Sequence, residues 1–120
     1  MTKWWLGLLL LGVFASTSAL ASQERIDASI VRIKVTDEES TDFYRILKSH
    51  YDSMRAMIER ELQSVSAQDL SKDIDRRARF INDSTAKKMA KVLRPDQMDE
   101  LRYLLNLIAD DFKAQNGITD

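Results

Sequence analysis

One histidine serves the whole chain, and its neighbours decide what chemistry it could support. His50, Met54 and Met57 fall at i, i+4 and i+7, so a helix would carry an imidazole and two thioethers on one face. Soft donors of this kind suit copper(I), and an imidazole suits nickel or zinc. The set falls short of the usual four ligands, and a multi-histidine site would need a second subunit. Met54 also lies on its helix's apolar stripe, where methionine is a common filler. These three residues are candidates for a metal and nothing more, and no cofactor is expected. Nucleophilic catalysis finds as little support. The chain has no Cys and no Gly-rich phosphate loop. Only His50 could serve a Ser-His-Asp set, and it has no specific orienting acid beside it. The many carboxylates follow helix-capping and surface patterns, so an enzyme is not expected.

The second concentration of chemistry is charge. Arg76, Arg77, Arg79, Lys87, Lys88 and Lys91, with Lys72 and Arg94 at either end, crowd one predicted helix. A solvated face with i,i+4 pairs such as Asp73–Arg77 and Asp75–Arg79 is one reading. The other is a positive surface for acidic protein segments, strongest at low salt. The whole chain has a formal net charge of −1, which offers nothing to suggest a nucleic-acid partner.

These groups need elements to carry them. Met1–Ala21 has the three parts of a cleavable leader: Lys3, the apolar run Trp4–Phe14, and Ala19-Leu20-Ala21 before the cut. The run is roughly half the ~20 apolar residues a membrane span needs. Cleavage after Ala21 is expected, leaving residues 22–120 with no stable membrane anchor and one unit more negative charge as Lys3 departs. No Cys follows the site to take a lipid.

The remainder holds one Pro and one Gly, a composition that favours long helices with short joints. Ser22–Val35 stays open. Its run Ile30–Val35 could form a strand or a frayed lead-in, while Ile26, Ile30 and Ile33 fit helical spacing. Residues 36–116 read as one helical domain. Thr36-Asp37-Glu38-Glu39 is a capping box opening a helix whose apolar stripe runs Phe43, Ile46, Leu47, Tyr51, Met54, Ile58, Leu62 and Val65. Ser66 is the expected N-cap of the next helix, with Asp69 at N3. The polar Asn82-Asp83-Ser84-Thr85 stretch is a candidate break. Pro95 sits well at the first position of a last helix that buries Met98, Leu101, Leu104, Leu105, Ile108 and Phe112, and Asn116-Gly117 stops it.

Two helix starts are alike. Val35-Thr36-Asp37-Glu38-Glu39 and Leu93-Arg94-Pro95-Asp96-Gln97 each place an aliphatic residue, a cap position, acids and Glu or Gln before a long helix. The pair resembles the LTxxQ motifs of the Spy/CpxP-like periplasmic proteins, over about Val35 to Phe112. Val35, Glu39 and Arg94 depart from that pattern, and Arg94 removes the hydroxyl cap. The resemblance implies an all-α hairpin of long amphipathic helices that forms an intertwined or cradle-like homodimer in the periplasm. It implies ATP-independent chaperone or envelope-stress activity by reversible binding of unfolded or envelope proteins, or of a sensor domain. A helical adaptor for a single envelope partner is the other expectation, with a metal-responsive sensor behind it.

Overall fold

The structure, a computed structural model, describes residues 17–64 and 69–118, with side chains from residue 20 onward and up to residue 63 before the second stretch. Most of the expected leader, Met1–Ser16, lies outside the described residues, as do Val65 and Ser66. The described chain is all-helical: α1 (Thr17–Ile33), α2 (Asp37–Ser64), α3 (Leu70–Met89) and α4 (Pro95–Gln115).

The stretch left open by sequence, 22–35, is mostly helix. Ile26, Ser29 and Ile33 recur on one face of α1 and are almost fully buried. Covering an isoleucine in this way contributes about 1.5–3 kcal/mol. The helix stops at Lys34, whose φ of 58° is left-handed, an uncommon state for a residue with a Cβ. The β-branched run therefore serves a helix, with Ile30 and Ile33 turned to the core at helical spacing and Val31 left 75% exposed.

Thr36 and Glu39 form the reciprocal box that opens α2. The Thr36 amide donates to Glu39 Oε1 at 2.9 Å and the Glu39 amide to Thr36 Oγ1 at 3.3 Å. The buried stripe of α2 differs from expectation at its end. Leu62 is 45% exposed, whereas Met57 and Glu61 are buried. Glu61 goes inward because Arg77 of α3 meets it there in an ion pair.

α3 starts with Asp69 at the cap position rather than at N3, and Asp69 makes no side-chain cap bond. Asn82–Thr85 does not break it. Thr85 and Ala86 are buried within an unbroken helix, so packing overrides the weak local propensity. Pro95 opens α4 as expected. At the other end the Ile118 amide donates to the Lys113 carbonyl (2.9 Å) and the Gly117 amide to the Ala114 carbonyl (3.2 Å). Gly117, at φ 68°, takes the left-handed turn that this double closure requires.

Cross-helix bonds set the arrangement. Ser29–Glu100 and Ile33–Gln97 run α1 antiparallel to α4. His50–Thr85 and Glu61–Arg77 run α2 antiparallel to α3. Lys113–Asp75, at 2.8 Å, joins α4 to α3, and the Tyr51 and Phe112 rings, 5.8 Å apart, join α2 to α4. α4 is thus the shared helix, and of the described helices α1 runs close to it alone. The described residues form a slab 43 × 38 × 19 Å.

Candidate protein-binding surface and the paired helix starts

The two similar helix starts come together. Gln97, 3% exposed, occupies the third position of α4. Its Oε1 accepts the Arg94 amide at 2.6 Å. Its Nε2 shares two protons among the Ile33 carbonyl, the Lys34 carbonyl and Glu39 Oε1, each 3.1 Å away. The first two are carbonyls that the end of α1 leaves without intrahelical donors. Glu39, third in α2, accepts from its own cap and from Gln97, and Arg94 Nη1 lies 3.5 Å from its other oxygen. The Thr36 amide and the Gln97 side chain hold the Glu39 carboxyl below its ordinary range. Arg94 cannot supply the hydroxyl of a full box, so α4 keeps half of one. The motif residues Val35, Thr36, Asp37, Glu38 and Glu39 thus cap α2 beside Leu93, Arg94, Pro95, Asp96 and Gln97, and the shared contact fastens the α1–α2 corner to α4.

Beside this knot, Ser29 Oγ donates to Glu100 at 2.7 Å and Arg32 pairs with the same carboxylate at 3.1 Å. Those bonds, Arg32 first, depress the Glu100 carboxyl. Arg32 also lies 5.8 Å from the Tyr103 ring centre, within cation–π range.

His50, Met54 and Met57 share a face, and that face is core: their exposures are 1%, 0% and 6%. His50 Nδ1 lies 2.6 Å from the Thr85 hydroxyl, while its buried Nε2 has no hydrogen-bond partner. Burial pushes its pKa down to about 4, so the ring is neutral. Among the described residues no group of three or more His, Cys, Asp or Glu could hold a metal.

The basic helix divides in two. Arg76 pairs with Asp73 at 2.7 Å, and Arg77 with Glu61. The expected pairs Asp73–Arg77 and Asp75–Arg79 do not form, because Glu61 and Lys113 on neighbouring helices take Arg77 and Asp75 instead. Arg79, Lys87, Lys88 and Lys91, together with Lys72, are exposed and form no ion pair among the described residues. Phe80, adjacent to Arg79 in the chain and lining a cleft with Lys88, is 72% exposed.

Two clefts flank Phe80 between α2 and α3. One, about 170 Å³, is walled by Ser49, His50, Ser53, Ser84, Thr85 and Lys88. The other, about 390 Å³, is walled by Ala56, Met57, Arg60 and Arg77. Phe80 was missed in the sequence because it lies off the Ile74–Ala78–Ile81 stripe. That offset, next to Arg79, was the available signal. Such an arrangement can seat an apolar side chain and attract negative charge around it. Comparison with protein-family models, with curated proteins and with solved structures finds no match to this chain.

Proposed function

We propose that this protein is a non-enzymatic helical binding module that works outside the cytoplasm. The cleavable leader read at Met1–Ala21 supplies the address, and the Phe80 face of α3 supplies the activity. That face takes acidic, partly apolar segments of unfolded or envelope proteins, reversibly and without ATP. The observation that carries the reading is Phe80, 72% exposed, next to Arg79 in the chain and sharing its clefts with Lys88 and Arg77. A lone exposed aromatic is unremarkable by itself. An exposed aromatic beside arginine and lysine has the composition of a binding hot spot.

Residues 22–120 should slow aggregation of an acidic unfolded client without ATP, and the effect should weaken as salt screens the cations. Phe80→Ser combined with Lys87→Glu and Lys88→Glu should abolish it while leaving the helical content unchanged. No protection at several-fold excess over the client removes the chaperone reading. The preformed clefts on both sides of Phe80 also favour a narrower reading, an adaptor for one envelope partner. That version expects a single stable partner in a pull-down and no general protection. A homodimer belongs to the chaperone version, and light scattering at micromolar concentration tests it.

A further inference from the structure

Ser22 on α1 faces Asp111 on α4, at the opposite end of their antiparallel pairing from Gln97. The Ser22 hydroxyl hydrogen-bonds the Asp111 carboxylate. Asp111 is only 8% exposed, and its other hydrogen bond comes from the neutral Gln115 amide at 2.7 Å. Asp110 and Arg25 line the same small cleft, yet Arg25 forms no ion pair with either acid. Desolvation accordingly pushes the Asp111 carboxyl above its ordinary range. A buried carboxylate without a cation is costly, so the site lacks one positive charge.

Ser22 is also the residue that Ala19-Leu20-Ala21 marks as the start of the processed chain. Hydrolysis of the Ala21–Ser22 bond by a leader peptidase consumes one water. Ala21 leaves with the new carboxylate, and Ser22 keeps an amine that is largely protonated near neutral pH. That nitrogen is three covalent bonds from Ser22 Oγ, within about 4 Å of it. We propose that the ammonium group created by cleavage after Ala21 pairs with Asp111, so that processing completes the α1–α4 contact. Of the removed residues whose side chains are described, Leu20 (39%) and Ala21 are exposed, and the described buried residues begin at Ile26. Ser is a favoured N-cap, and Glu24 then falls in the first turn of the shortened helix.

The inference rests on the cleavage site within the proposed function, and two measurements separate them. Intact mass of the exported protein tests the cut. A chain beginning at Ser22 supports the proposal, and any other start overturns it. Thermal melts of residues 22–120, with a free or an acetylated amine, test the pair. Acetylation should lower Tm by about 4 °C or more. Without the pair, removing positive charge from a helix N-terminus favours the helix, so acetylation should raise Tm. In an Asp111→Asn background the loss should vanish or reverse. An unchanged or raised Tm on acetylating the chain that retains Asp111 overturns the proposal, whether or not the Asp111→Asn variant folds.

Discussion

The α1–α4 end and the α2–α3 face of this molecule handle polar groups in opposite ways. At the first, Gln97, Glu39, Glu100, Ser29 and Arg32 satisfy one another and the loose carbonyls of α1. At the second, His50 Nε2 and Glu61 Oε2 are buried with no hydrogen-bond partner among the described residues, Phe80 stands in solvent, and several exposed cations of α3 form no ion pair with a described residue. A satisfied buried network specifies one arrangement, whereas unsatisfied groups cost stability. Under the proposed function, the first region holds the fold and the second meets other molecules.

The largest effect should come from breaking the satisfied end. Gln97→Ala removes every bond of that amide and leaves two helix-end carbonyls without their donor, at a cost of about 3–4 kcal/mol. A urea titration reads it, and a loss below about 1 kcal/mol would show that water substitutes freely for the amide.

Acid should act next, on the other region. In the unfolded chain His50 titrates near 6.5, and in the folded protein burial lowers it to about 4. Between those values the unfolded chain holds the extra proton. Stability from this group is therefore complete above pH 6.5 and drains away as pH falls toward 4, by roughly 2–3 kcal/mol. Denaturation midpoints at pH 7.5 and 4.5 measure the loss, and His50→Leu should remove most of that slope.

A smaller change of opposite sign is expected at the corner between the regions. Lys34→Gly relieves a left-handed residue and should stabilise by about 0.5–1 kcal/mol, net of the greater freedom of glycine in the unfolded chain. Phe80→Ser should change stability least, within about 0.5 kcal/mol, yet weaken client binding most. If Phe80→Ser instead destabilises by 2 kcal/mol, the residue is packing and the division of labour fails.

Local chemistry was legible in the sequence; distant competition was not. Thr36 with Glu39, Pro95 and Gly117 mark helix ends by bonds within a few residues, and each does so in the structure. The all-helical character followed from the same signals and from scarce Pro and Gly. The likeness of the two helix starts was visible, but their meeting was not, since Glu39 and Gln97 are 58 residues apart. The ion pairs of α3 were misassigned for the same reason. Local spacing offered Asp73–Arg77 and Asp75–Arg79, while Glu61 and Lys113 became neighbours only through packing. Asn82–Thr85 reads as a break until the Thr85 hydroxyl is given His50 as its partner.

The isolation of α1 has a consequence in time. Its close neighbour among the described helices, α4, lies far along the chain, and the Ser29–Glu100 bond spans 71 residues. At ~5–20 residues per second, α1 waits roughly 4–14 s before the segment that holds it exists. Until then Ile26 and Ile33 have nowhere to go, and the long-range closure that defines the fold is postponed. Under the export proposed above, that delay would keep the chain open until the crossing is made.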